Sequence, residues 1–425
     1  MIPFSPILTW LVLLAVIAAL IVRPGGLSEA VAAAVGAAVV LMLGTATPVD
    51  VIRGIQETLD VLLFLVAMMI VALVAEEVGV FDWAANRAIR LSAGDGRLLF
   101  INLYLLGAVV TIFLSLDVTA VMLAPLICAL VRRARLSPLP YVVACAFVAN
   151  TASLLLPVSN LTNLLVYGLL NLPFWSFVRL LFWPELAAVV VNVLVFLVLF
   201  RRMIPLRFAV SEEWHASTGD PVGLVIAGGG LVGVVVALMV FGLLGLPLYI
   251  PAAAGAVIMG LVALRRQDIE LSDLRHGVAW SLPLFVVGMY TVVLAANRSG
   301  LDLLVGRPLL HLLDGPLSPA GLLLLSFAAA LGSNLLNNIP MALVVITSLM
   351  TAPAHHRETA ALAALIGTNV GANGTTFGSL ATLLVLRAAR RAGFQIDLRE
   401  FLRISALTTP LMVLAAALCL WLALR

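Results

Sequence analysis

Apolar runs of about 20 residues recur along the whole chain, and that length of helix spans the hydrocarbon core of a bilayer. Uninterrupted runs fall at roughly 6–22, 29–43, 59–78, 176–200, 222–244, 248–264, 278–297 and 403–424. Four further runs, at roughly 98–131, 140–170, 319–352 and 358–386, carry polar residues in their middles. Backbone in lipid must bond to itself, so every run predicts helix. Irregular backbone at that depth survives only inside protein or beside a water-filled cavity. The pattern thus predicts an all-α polytopic membrane protein with broken helices at the midplane. About ten transmembrane helices would be joined by two re-entrant hairpins, at 98–131 and 319–352.

The runs repeat. Residues 64–79 (FLVAMMIVALVAEEVG) align with 285–300 (FVVGMYTVVLAANRSG) at an offset of 221, with 7 identities in 16 positions. The same offset sets Asp117 on Asn338, and an offset of 219 sets 159–166 (SNLTNLLV) on 378–385 (GSLATLLV). Three blocks in one order predict two halves, 1–203 and 222–425, around a polar linker at 204–221. Arginine counts give the expected sides. With the loop of Arg132, Arg133 and Arg135 in the cytoplasm, 18 arginines lie inside and 6 outside. That bias follows the positive-inside rule. It puts the linker inside and both termini outside, and it opens the two hairpins to opposite faces, so the halves are expected to be inverted.

Composition supports the membrane reading. Hydrophobic residues make up 63% of the 425 and charged residues 11%, too few to keep a soluble surface wet. The start lacks a basic leader and a small-residue cleavage site, so it reads as a retained span. A net charge of +3 needs no nucleic acid to explain it. Cys128, Cys145 and Cys419 sit in apolar runs without paired spacing, which argues against a disulfide or zinc framework. His355 and His356 are expected in an outer loop and lack further ligands for a metal. No Gly-rich phosphate loop with its Lys is present, so the chain itself is not expected to hydrolyse ATP, and no cofactor is called for. Nor is a nucleophile–base pair apparent, which points to a transporter rather than an enzyme.

The chemistry should lie at the breaks, where orphaned N–H and C=O groups and half-helix ends face a cavity. The candidate residues are Ser115, Asp117 and Thr119; Asn150, Thr151, Ser153, Ser159, Asn160 and Asn163; Asn334, Asn337 and Asn338; and Asn369, Asn373, Thr375, Thr376 and Ser379. Asn offers donors and acceptors without charge, suiting a neutral hydroxyl-bearing solute or a weakly held ion. Such residues also mediate helix packing, the structural alternative for any one run. Pro157 and Pro340 are expected to disturb the helical ladder. Asp117 is the one acid in the middle of a broken run, and a carboxylate there is costly enough to mark a proton carrier. Glu185, after Pro184 in a span, is the weaker second candidate, and Glu76 and Glu77 are expected at the inner interface.

At these residues the sequence resembles the ArsB-type arsenite and antimonite efflux permeases of the ion transporter superfamily. The resemblance is carried by Gly79-Val80-Phe81-Asp82-Trp83, by 106–131, by TASLLLPVSNLTN at 151–163, by GMY at 288–290, by NNIP at 337–340 and by GSLATLL at 378–384. It implies exchange of arsenite or antimonite for protons across the bacterial plasma (inner) membrane, and in some members an ATPase partner subunit or a homodimer. The inverted repeats themselves predict an elevator-like movement of the hairpins and broken spans against the remaining helices. The chain departs from the family in three places. Leu116-Asp117 stands where the family has Asn-Asp, Asn150 and Asn369 where an acid is common, and Gly371-Ala372-Asn373 where it has Gly-Pro-Lys. Two other readings stay open: a sodium/proton antiporter or sodium-coupled anion or carboxylate transporter on the same scaffold, and a non-transporting receptor or assembly scaffold.

The topology is testable with alkaline phosphatase, which is active only outside the cytoplasm. A fusion after Arg425 should be active and one within 204–221 inactive; the opposite pattern would invert the topology.

Overall fold

The computed structural model describes residues 4–22, 27–170, 173–208, 220–306, 308, 318–351 and 354–425. Most of the expected linker, together with Arg23 and Arg307, lies outside the described residues. Among the described residues no strand is present beyond one isolated bridge, between Asp95 and Arg207. The chain is an all-α, multi-pass membrane protein.

The first three helices are α1 (Phe4–Val22), α2 (Glu29–Met42) and α3 (Pro48–Glu77). Thr47 starts α3 with a reciprocal capping box: its hydroxyl accepts from Asp50 N, and the Asp50 carboxylate accepts from Thr47 N. The 30 residues of α3 reach about 45 Å, longer than a bilayer's hydrocarbon. The expected start at 59 is therefore wrong by eleven residues. The polar first third, PVDVIRGIQETLD, carries no hydropathy signal, and the cap and Pro48 at the first position define it. Two short helices went unpredicted. The helix α4 (Val80–Leu91) is amphipathic, and the helix α12 named below is only seven residues long. Neither makes an apolar run of membrane length.

Next comes a hairpin, α5 (Gly96–Phe113) and α6 (116–133). The α6 rod joins Leu116–Val118, a π-helical segment Thr119–Leu123, and Ala124–Arg133. A broken pair follows, α7 (Pro138–Thr151) and α8 (Leu161–Leu170), and then α9 (Phe174–Leu199). The centre of the chain holds α10 (Pro221–Leu243), α11 (Tyr249–Arg266), α12 (Leu271–Gly277) and α13 (Ser281–Ala296), the last continued by a π-helical segment Asn297–Gly306. The order then recurs: a hairpin of α14 (Pro319–Leu336) and α15 (Asn338–Thr351), a broken pair of α16 (Ala354–Thr368) and α17 (Leu380–Arg391), and a final long helix, α18 (Leu398–Ala423). The backbone of His355 and His356 belongs to the first turn of α16 rather than to a loop.

The helices sort into two groups. In one, α2 packs on α13 and α3 on α11 and α13. A Cβ at Gly288 would meet the Ala33 backbone at 2.9 Å, so the contact between α2 and α13 needs glycine. Arg298 forks onto Asp50 with two bonds of 2.7 Å, and Tyr290 donates to Glu57, tying α3 to α13. The other group joins the two hairpins, the two broken pairs, α9 and α18. Here α9 packs on α18, α14 on α16 and α7 on α17.

Gly367 sets the spacing of α14 and α16, since a Cβ there would lie 2.3 Å from Ser326 O and 2.7 Å from Ala330 N. Backbone cannot yield as a side-chain tip does. Gly367→Val should destabilise the protein by about 1–3 kcal/mol. A melting temperature in detergent equal to that of the unmodified protein would refute this.

Candidate functional site

The break between α7 and α8 is held by side chains from its own surroundings. Asn163 Nδ2 donates to three carbonyls of the break, Ser153 O at 2.8 Å, Leu154 O at 3.1 Å and Leu156 O at 2.9 Å. On the donor side, Glu185 Oε2 accepts from Leu154 N at 2.8 Å and Leu155 N at 2.6 Å. Asn160 Oδ1 caps α8 through Thr162 N, and its Nδ2 reaches Ser153 Oγ at 3.1 Å. Ser159 Oγ donates to Ser153 O and Leu156 O. Glu185 is buried beside this break. Its neighbour in the interior is a Tyr104–Asn192 hydrogen bond between α5 and α9.

Residues 369–379 form the break between α16 and α17, with a 3-10 turn at Val370–Gly374. Ser379 caps α17 by accepting from Thr382 N at 3.4 Å. Asparagines join this break to the first. Asn150 Nδ2 donates to Thr382 Oγ1 at 2.9 Å and to Asn373 Oδ1 at 3.0 Å. Asn369 Nδ2 donates to Asn163 Oδ1 at 2.7 Å, and Asn369 Oδ1 accepts from Thr162 Oγ1 at 2.7 Å. Asn373 Nδ2 donates to Thr151 Oγ1 at 3.0 Å. The 219-residue offset that aligns the later sequence blocks carries Asn150 to Asn369 and Asn163 to Thr382. The Asn150–Thr382 bond is thus the Asn369–Asn163 bond with the halves exchanged.

Each hairpin turns at a different kind of residue. In the first, extended Ser115 caps α6 by accepting from Val118 N at 3.2 Å, and Thr119 Oγ1 meets Thr111 Oγ1 at 2.7 Å inside the π-helical segment. Such bulges gather at functional positions. Asp117 is half-buried in the first turn of α6, and no partner for its carboxyl lies among the described residues. No hydrogen bond connects it to the asparagine cluster. The second hairpin turns at Asn337, with φ 79 and ψ 155. That region is nearly reserved to glycine and costs about 1–3 kcal/mol. Pro340 does not break the helix as expected: it sits in the first turn of α15, where no donor is missed. The strained Asn337 is tied down by its own side chain, which donates to Phe377 O at 3.0 Å, while Asn338 N donates to Gly378 O at 2.9 Å.

Asn334 spans the second hairpin and the second break. Its Nδ2 donates to Ala330 O and Gly371 O, both at 2.7 Å. A Cβ at Gly378 would lie 2.6 Å from its Oδ1, so glycine makes room for that oxygen. Yet Asn334 Oδ1 has no hydrogen-bond partner, nor have Ser333 Oγ, Asn338 Oδ1 and Thr375 Oγ1, which come from the same hairpin tip and break. Asn150 Oδ1 is also unpartnered, as are the hydroxyls of Ser405, Thr408 and Thr409 in α18, which packs on the second break. An unsatisfied buried polar atom costs about 1–3 kcal/mol, so a cluster of them marks where a ligand or water bonds. Thr376 is buried beside it without a bond of its own. Among the described residues no group of three His, Cys, Asp or Glu could hold a metal.

Asparagines 150, 163, 369 and 373 and Thr151 thus meet in one network, with Ser153, Ser159 and Asn160 supporting it from the first break. Asn334, Asn337, Asn338, Thr375 and Ser379 form the second hairpin's half, and Ser115, Asp117 and Thr119 stand apart at the first hairpin. Sequence reasoning missed the roles of Thr162, Thr382, Tyr104 and Asn192. The last two were legible as lone polar groups in apolar spans.

Residues 11–367 match the citrate transporter family model. The arsenical pump membrane protein of Escherichia coli K12 is 32% identical over 94% of this chain and 95% of its own length. Two solved structures share the fold. The Alcanivorax borkumensis YdaH transporter has a TM-score of 0.57 at 14% identity, covering 88% of this chain and 86% of its own. MtrF of Neisseria gonorrhoeae, described as an antimetabolite efflux pump, has a TM-score of 0.54 at 12% identity, covering 99% and 95%. The family expected from the motifs is the one found: this membrane transporter belongs to the ArsB-type permeases of the ion transporter superfamily.

Proposed function

We propose that this chain exports trivalent arsenic or antimony across the bacterial inner membrane in exchange for protons. The observation that carries the reading is the set of unpartnered oxygens at the second hairpin tip and break. Two of these four oxygens, Asn334 Oδ1 and Asn338 Oδ1, belong to asparagine amides and only accept hydrogen bonds. They call for a ligand rich in donors. A neutral trihydroxide of arsenic offers three O–H groups and fits. A carboxylate offers only acceptors, and none of the four breaks contains an Arg, Lys or His to pair with it. The cargo is accordingly closer to that of the arsenical relative than to the citrate in the family model's name.

Asp117, unpaired at the turn of the first hairpin, is assigned the proton, with Glu185 as the second acid. The halves 1–203 and 222–425 are taken as inverted repeats with both termini outside. The exchange-related asparagine bonds support that reading, since two-fold-related halves generate such pairs. The sorting of helices into two groups supports an elevator-like step, in which the group bearing the breaks moves against the other. A sodium ion would also accept neutral oxygens as ligands, so the same cluster favours a sodium-coupled transporter as the second reading.

In a strain lacking its own pump, expression should lower cellular arsenite; unchanged accumulation by well-expressed protein would sink the proposal. Arsenite should also drive proton movement in proteoliposomes. Asp117→Asn should abolish that proton signal while arsenite counterflow persists. A proton signal of normal size would remove Asp117 from the role. A sodium-dependent signal without arsenite would select the second reading. Glu185→Gln weakens the acceptor of two backbone N–H groups and should cost about 1–3 kcal/mol of stability, read as a lower melting temperature.

A further inference from the structure

The 221-residue offset that relates α3 to α13 also relates α6 to α15. Glu76 falls on Asn297, Gly79 on Gly300 and Leu126 on Thr347. The local geometry agrees, since Gly79 and Gly300 take left-handed φ values of 88 and 102 where the two helices end. The packing differs at the end of α3, although α4 still rests on the second arm of the first hairpin. In the second half, α13 and its π-helical continuation lie against α15, and Asn297 Nδ2 donates to Thr347 Oγ1. In the first half, the end of α3 and the second arm of the hairpin border a cavity of about 410 Å³. Glu77, Asp82, Leu126, Ala129 and Arg133 are among the residues that line it. Glu77, Asp82 and Arg133 have no ion-pair partner among the described residues.

Two related interfaces in unlike states are what alternating access requires. We propose that Glu77 and Arg133 form the latch of the gate between α3 and α6, open in this structure, and that it closes as the Asn297–Thr347 contact between α13 and α15 parts. Glu77 ends a helix of the stationary group and Arg133 ends the arm of a hairpin, so movement of the hairpin along α3 changes their separation. An exposed ion pair is weak, which lets such a latch release in every cycle. The side of the gate follows from Arg132, Arg133 and Arg135, which the positive-inside rule places in the cytoplasm. The open state shown is therefore inward-facing. This inference rests on the transporter reading and not on the identity of the cargo.

The test uses full-length protein in membranes, with Cys128, Cys145 and Cys419 replaced by Ser. The pair Glu77→Cys/Arg133→Cys should form a disulfide under mild oxidation. Adding Thr347→Val, which removes the contact of the other half, should speed that reaction about threefold or more by shifting the population. An unchanged rate, or no disulfide at all, would overturn the coupling. In a parallel set, Glu77→Arg and Arg133→Glu should each lower flux by about fivefold, the ceiling for an exposed pair, and the double exchange should restore it. Asp82→Asn should leave flux unchanged. A double exchange as slow as either single variant would overturn the latch. If the latch is right and the cargo is not arsenic, the disulfide still responds to Thr347→Val while wild-type protein moves no arsenite.

Discussion

A helix interrupted inside a bilayer exposes N–H and C=O groups that lipid cannot bond, and the rest of this structure depends on how those groups are satisfied. Here the answer is the side-chain amide. One Asn163 group bonds three carbonyls of the first break, and one Asn334 group bridges the second hairpin to the second break. Amides can do this without charge, donating from nitrogen and accepting at oxygen. A Lys or Arg could supply the donors only by bringing an ion into the interior, at a cost of several kcal/mol. The choice of asparagine therefore fixes the electrostatic character of the pathway before any cargo is considered.

The two breaks are not satisfied equally. In the first, Glu185 takes the Leu154 and Leu155 N–H groups, and asparagine and serine side chains take the carbonyls. In the second, the carboxylate has no counterpart, and oxygens of Ser333, Asn334, Asn338 and Thr375 are left over. Asp117 and Asn338, which occupy matched positions, divide along the same line: an unpaired acid in the first half and an unpaired neutral acceptor in the second. Matched positions are thus unlike, which accords with the proposal that the first hairpin handles the proton and the second the solute.

Much of this was legible in the chain. The breaks were visible because asparagine, serine and glycine interrupt runs that lipid requires to be apolar, and the recurring order was visible because Gly79, Asn160 and Asn163 fall on Gly300, Ser379 and Thr382. What stayed hidden was of two kinds. Hydropathy is blind to helix outside the hydrocarbon, so the first eleven residues of α3, the amphipathic α4 and the start of α16 were missed. Sequence also does not say which residue of a polar run turns. Pro340 drew attention, but it merely starts a helix, and the turn falls on Asn337, whose strained backbone only a tertiary bond to Phe377 O explains.

That strain bears on how the second hairpin works. A non-glycine residue in the left-handed half of the map persists only where its surroundings over-determine it. The surroundings of Asn337 are carbonyls of the second break, and the break is in turn bonded to the first through Asn373 and Asn150. Movement of the hairpin tip therefore cannot be local. Releasing Asn337 from Phe377 would relax its backbone but free a donor and an acceptor in the interior, and only a ligand or water can compensate those. The unpartnered oxygens lie where such a ligand would sit. On the proposed function, cargo binding and the position of the hairpin would be linked by one set of hydrogen bonds, and a solute that supplies donors is the kind that could complete it.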